Sequence, residues 1–399
     1  MTEALPFPFE QDLSADSAPE LAMLRGGGPV ARVRLPDGQL AWLPLRRADI
    51  RTVFGDARFS RSAATRPGAP GVGPATSAPG MLTGLDPPEH TRVRRLVSKA
   101  FSARTVDRKR SQIKAIVDEL LDEVEVHGSP SDLIPAFARP LPLRVITAIL
   151  GVPYADRDQF SHLVTVITAA TASSPAQVKA ALTDLTGYLA RLIAAKRAEP
   201  ADDLLTALVD ARDEGNALSE QELLMNAHLI LVAGHDTTAN HLANSLVALF
   251  RHPAQLDRLR ERPQLLPSAV EELLRYVQLE TTGNVRIATE DVELSGVTIR
   301  AGDAVIPMGH LASNDPEEYP DARRLDVTRV ASPAHMAFGS GPHHCPGAAL
   351  ARMELELALG SLLARLPGLR LAEPADELSW RPGMVMRNLT ALPVAWDHA

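Results

Sequence analysis

A mainly α chain with minor β is what this sequence of 399 residues predicts, on three observations. Apolar residues recur at helical spacing through most of residues 89–250, interrupted at Pro and Gly. Period-two alternation is confined to residues 29–45 and to short runs after Asn284. No repeat or low-complexity linker divides the chain, so residues 1–399 read as a single domain with 1–28 as an N-terminal extension.

Taken in order, Pro6, Pro8 and Pro19 punctuate the extension, and residues 19–24 form a short helical stretch stopped by Gly26, Gly27 and Gly28. Residues 29–45 alternate around Asp37-Gly38, a hairpin turn signal. Residues 47–54 read as a helix. Residues 62–83 carry Pro, Gly, Ser and Thr without a period, and so long a loop is usually functional or disordered. Helices are expected at 89–101, 106–127, 131–150, 156–170, 176–198 and 203–213. The longest pattern, 219–250, would span about 45 Å, enough to cross a domain. Strand signals return at 285–288, 292–294, 297–299 and 304–307.

A net charge of −8 and a pI near 5.9 argue against nucleic acid as a partner. The N-terminus has neither a basic region nor an apolar one, and no run approaches about 18 apolar residues. A soluble, cytoplasmic protein without a membrane partner is expected.

Phe338-Gly-Ser-Gly-Pro-His-His-Cys-Pro-Gly347 holds the one cysteine of the chain, which excludes an internal disulfide. A lone cysteine is ordinarily a small buried hydrophobe. Here three glycines allow close approach of something flat, and a helical run follows at once, whose N-terminus favours thiolate over thiol. Three chemistries compete. Zinc on His343, His344 and Cys345 is disfavoured because adjacent side chains diverge and a closed site needs four ligands. A phosphate loop fails because His344 stands where a third glycine belongs. The third is haem iron held by an axial thiolate.

The pattern Phe-x-x-Gly-x-x-x-Cys-x-Gly over 338–347 closely resembles the haem-binding loop of the cytochrome P450 family. The resemblance implies the cytochrome P450 fold, haem b as cofactor, Cys345 as iron ligand, and Phe338, Gly339 and Gly347 against the haem.

Ala233-Gly-His-Asp-Thr-Thr238 interrupts the long helical pattern, and an interior glycine costs about 1 kcal/mol against alanine. One reading is a kink or close helix packing at Gly234 with Asp236 exposed. In another, the Thr237 hydroxyl bonds the Ala233 carbonyl, or releases it to a water where the helix bulges. The stretch resembles the oxygen-binding groove of the family. That implies Asp236 and Thr237 as the acid and alcohol that deliver protons, with Leu229, Val232 and Ala233 facing haem and substrate.

Glu272 and Arg275, at i and i+3, would contribute only about 0.2–0.5 kcal/mol as a surface pair. They resemble the family's structural Glu-x-x-Arg pair. Asn314 and Leu325 depart from the pattern downstream, which leaves Arg323 or Arg324 as candidates to complete it. His90 and Arg94 at i, i+4, with Arg286 and His343, fall where the family holds the haem propionates. Some of Arg92, Arg95 and Lys99 are expected toward an acidic ferredoxin. Pro346 has no N–H to offer the sulfur, which favours stronger electron donation and a lower potential than leucine there.

The implied activity is that of a haem-thiolate monooxygenase or oxidase. It uses O2 and two electrons from a separate ferredoxin and ferredoxin reductase, because no flavin or iron–sulfur segment fits in this length. The substrate would be hydroxylated or oxidatively coupled by a monomeric enzyme of bacterial secondary metabolism. Its wall is expected from 62–83, 164–176, 229–233, 282–285 and 384–387, including Asn284, Val285, Val385 and Met386, with Arg387 and Asn388 as further donors. That composition suits a mid-sized, mostly apolar natural product. Two alternatives stay open: an H2O2-driven peroxygenase P450, and a non-catalytic haem-binding sensor or carrier.

Overall fold

Ser219 starts the helix on which the fold is hung. Its hydroxyl accepts the Glu222 N–H at 3.1 Å and the Glu222 carboxylate accepts the Ser219 N–H at 2.7 Å, satisfying two amides that a helix end leaves bare. In the computed structural model, which describes residues 4–9, 19–72, 80–168, 173–213, 218–330 and 334–397, this helix runs over Glu220–Arg251. It packs on the helices Pro140–Leu150, Pro175–Ala198 and Ala348–Arg365. Leu223, Leu231, Leu242, Leu246 and Leu249 are wholly buried along it, and each such side chain contributes about 1.5–3 kcal/mol. A Cβ at Gly234 would lie 2.6 Å from Ile146 Cγ1, so the glycine serves close helix packing and the helix stays regular there.

Two long helical patterns break where local chemistry intervenes. Residues 131–150 begin as a strand, Ser131–Asp132, paired with Pro393–Val394. Asp132 Oδ1 accepts the N–H groups of Ile134 at 2.9 Å and Leu392 at 2.8 Å. A π-helical turn over Ile134–Ala138 follows, and Pro140, with no N–H to donate, opens the helix Pro140–Leu150. Residues 106–127 divide into Ala103–Asp107, capped by Ser102, and Arg110–His127. The remaining expected helices form with shifts of a few residues at their ends, the 156–170 pattern as Arg157–Ile167.

The main sheet has the order Leu5–Pro6, Val30–Arg34, Leu40–Pro44, Ala304–Val305, Arg286–Ala288, Phe59–Ser60. Arg34 pairs with Leu40 across the hairpin, and Gly38 takes the φ of +83° that its turn requires. The N-terminal segment joins this sheet: Leu5–Pro6 runs parallel to Val33–Arg34, with Phe7 and Phe9 buried behind. A second apolar cluster, including Val33, Leu43, Ile50 and Ile306, lies under the sheet. Among the described residues no helix is long and apolar enough to cross a membrane.

Candidate active site around Cys345

The cysteine loop holds its shape by main-chain bonds. Cys345 N–H donates to Phe338 O at 2.9 Å and Gly339 N–H to Met336 O at 2.9 Å. Gly341 sits at φ +70°, and a Cβ there would meet Phe54 O at 2.7 Å, so only glycine lets the loop rest on the Arg47–Gly55 helix. Gly347 caps the helix Ala348–Arg365, and its amide donates to the Cys345 sulfur. Pro346 offers no such donor. Arg352 stacks over Phe338 at 4.7 Å and is paired with Glu271. The sequence favours a thiolate at the helix end, but burial pushes the Cys345 thiol up, against the Gly347 amide, Arg94 and Arg352, which pull it down. Protein groups alone leave this sulfur protonated more readily than a free thiol.

On one side of the loop, the four predicted anion-binding residues converge. The His90 and His343 rings lie 4.1 Å apart. Burial takes His343 down to about 2, helped by His90, Arg286, Arg61 and Arg94. Burial also lowers His90, followed by Arg94, and takes Arg286 to about 9. His90 Nε2 and Arg286 Nε are buried without a partner among the described residues, a cost of about 1–3 kcal/mol each. Two arginines and two neutral imidazoles, with donors left unfilled, next to a glycine-lined thiol fit a flat ligand that brings its own carboxylates. Haem answers that description: iron for the sulfur, two propionates for the cations. Arg61, which sequence reading missed, joins them at 5% exposure, donating to Thr83 O at 2.8 Å, Val285 O and Asn284 Oδ1. It sits just before the aperiodic 62–83 stretch, where no pattern signals burial.

Across the central helix, Thr237 Oγ1 donates to Ala233 O at 2.6 Å. Asp236 is buried, not exposed. It hydrogen-bonds Thr168 and Asn240, and burial raises its carboxyl while Arg139, those two bonds and Arg381 oppose. Leu229 and Val232 are half-buried against the main apolar core, and Ala233 beside them is exposed in mid-helix. Asn284 Oδ1 is engaged by Arg61, Val285 packs on the lower apolar cluster, and Val385 is buried with its carbonyl bonded to Thr281 N–H. Arg387 turns away from that face, over the Trp380 ring at 5.5 Å, and Asn388 accepts from Arg139 at 3.2 Å. The parts of the expected wall at 73–79 and 169–172 lie outside the described residues.

Behind the loop, Glu272 accepts from Arg275 Nε at 2.7 Å and Nη2 at 2.9 Å. The third member is Arg329, whose Nε reaches Glu272 at 3.1 Å, and not Arg323 or Arg324. Arg324 supplies only its carbonyl, because the turn over Asp326–Arg329 folds Arg329 back onto the pair. Asn314, where the family frequently has arginine, accepts from Arg275 Nη1 at 2.9 Å through its Oδ1. Arg92 is paired with Glu222, while Arg95 and Lys99 are exposed.

The family model for "Cytochrome P450" matches residues 64–388. The chain is 43% identical over 397 residues to nocardicin C N-oxygenase of Nocardia uniformis subsp. tsuyamanensis, covering 99% of each. It is 44% identical over 399 residues to mycinamicin IV hydroxylase/epoxidase of Micromonospora griseorubida, covering 99% of this chain and 100% of that one. The crystal structure of the LnmA cytochrome P450 hydroxylase from the leinamycin biosynthetic pathway of Streptomyces atroolivaceus superposes with a TM-score of 0.90 at 47% identity, covering 98% of this chain and all of that one. With this fold, that loop and such relatives, the chain belongs to the cytochrome P450 family, as an oxidoreductase of the monooxygenase type.

Proposed function

We propose that this protein, as one domain over residues 1–399 with 1–28 as an extension, is a haem-thiolate enzyme that oxidises a mid-sized, mostly apolar natural product with O2. The observation that carries the reading is the half-buried Cys345 thiol, in a main-chain-bonded loop, beside His90 and Arg286, each with a buried nitrogen that lacks a partner among the described residues. Haem b bound there would supply redox activation of O2, which no side chain provides. Cys345 would be its iron ligand, with Phe338, Gly339 and Gly347 against its face. A coordinating metal ionises a thiol that burial holds protonated. Arg94, Arg286, His90 and His343 would take the propionates. Thr237, holding the Ala233 carbonyl, and Asp236, buried behind it, would relay protons to the cavity.

Leu229, Val232, Ala233, Asn284, Val285, Val385 and Met386 would shape the substrate's wall. Electrons would come from a ferredoxin and its reductase in the cytoplasm, to a monomeric enzyme. Relatives named as an N-oxygenase and a hydroxylase/epoxidase support a tailoring oxidation, of which hydroxylation and radical coupling are both within this chemistry.

The test is the ferrous carbonyl spectrum of the purified protein, followed by turnover with a surrogate ferredoxin system and with H2O2 alone. A red-shifted Soret band and ferredoxin-dependent product are expected. A protein that stays colourless after haem supplementation sinks the reading. Product from H2O2 alone makes it a peroxygenase, and spectral binding without product makes it a carrier.

A further inference from the structure

Residues 279–281 run against 384–387. Arg387 N–H donates to Leu279 O at 2.9 Å, Thr281 N–H to Val385 O at 3.0 Å, and Thr281 Oγ1 to Met384 O at 2.8 Å. Glu280 is thereby fixed opposite Met386, in an antiparallel bridge. Among the described residues nothing hydrogen-bonds or ion-pairs with its carboxylate; only its main-chain carbonyl is engaged, by Gln278. Burial raises the carboxyl, and Arg61 alone opposes. Its charge in turn bears on Arg61 and on Cys345, so the carboxyl lies near both.

The neighbours are already committed. Arg61 donates to Thr83 O, Val285 O and Asn284 Oδ1. Asp86 accepts from Ser60 Oγ, Arg61 N–H and Ser62 N–H. Arg94 and Arg286 match two propionates in charge. Counted formally, Arg61, Asp86 and Glu280 then leave a surplus of one negative charge, which either a proton on the carboxyl or a cation on the ligand balances.

We propose that Glu280 selects the substrate by pairing with a cationic nitrogen on it, a protonated or quaternary amine. This rests on the reading of the cavity beside Cys345 as the substrate site. It narrows the substrate class to natural products that carry one basic nitrogen on an otherwise apolar frame.

The probes are an alkyl trimethylammonium and its neutral tert-butyl isostere, neither of which can ligate iron. Their affinities for the haem-loaded protein are measured by intrinsic fluorescence and by the Soret shift. The wild type should bind the cation about tenfold or more tightly than the isostere. Glu280→Gln should equalise the two and leave the isostere within about twofold of wild type. Equal affinities in the wild type, or a preference that survives in Glu280→Gln, overturn the proposal. A carbonyl spectrum without the thiolate signature instead sinks the haem reading, and the fluorescence comparison still decides on Glu280.

Discussion

Glu272 and Arg286 are equally hidden, at 2% and 4% exposure, yet their surroundings are opposites. Glu272 is answered by Arg275, Arg329 and the Asp326 N–H, and Arg275 by Ser313 O, Asn314 and Ala322 O. Arg286 donates to Phe59 O through Nη1 while its Nε has no partner among the described residues, and burial and the nearby Arg61 outweigh Asp86 in lowering it. A buried charge that is fully bonded locks backbone in place; one left open is a demand on a ligand. The two clusters flank one cysteine loop, so the first holds the loop and the second declares what it is held for.

Breaking the closed cluster should have the largest effect. Glu272→Ala strands Arg275, which is 1% exposed, and should cost about 3–5 kcal/mol in denaturant unfolding. A midpoint near the wild-type value would erase the contrast. Next, Thr237→Ala on the open side should leave stability within about 1 kcal/mol while product formed per O2 consumed falls about a hundredfold. Unchanged coupling would remove Thr237 from the proton route.

His241 sharpens the comparison from a third direction, as a buried polar ring away from either cluster with both nitrogens unpartnered among the described residues. Burial lowers it to about 3, from about 6.5 unfolded. Below pH 6.5 the unfolded chain takes a proton that the fold refuses, so this group's stability contribution is intact above 6.5 and is lost as pH falls toward 3. Between pH 7.5 and 5.0 the wild type should lose about 2 kcal/mol more than His241→Phe, by chemical unfolding at each pH. Identical losses would show that the ring finds a partner. Smallest is Arg286→Leu: haem affinity should fall about tenfold, by transfer to a haem acceptor, with no loss of apoprotein stability. Apoprotein destabilised as much as by Glu272→Ala would make Arg286 architectural too.

The helices from Glu89 onward were legible because their apolar stripes are long, and the hairpin because Asp37-Gly38 admits one turn. Ser131–Asp132 was not: two residues carry no period, and their partner strand lies more than 250 residues later. Cys345, Thr237, Glu272 and the residues at 90, 94, 286 and 343 stood out in the sequence as spaced motifs, and the structure brings the last four together. Arg329, Arg61 and Glu280 did not, since each is placed by tertiary folding of an aperiodic segment. Gly234 was half-legible. A kink and close packing predict the same residue, and only Ile146 tells them apart.

Because the cysteine loop is shaped by its own amides and carbonyls and rests on Phe54 through a glycine, its geometry owes little to the side chains that line the cavity opposite. Those linings are therefore free to diverge between lineages, or under an engineer's hand, without unseating the sulfur. One anchored turn can thus serve a succession of unrelated molecules.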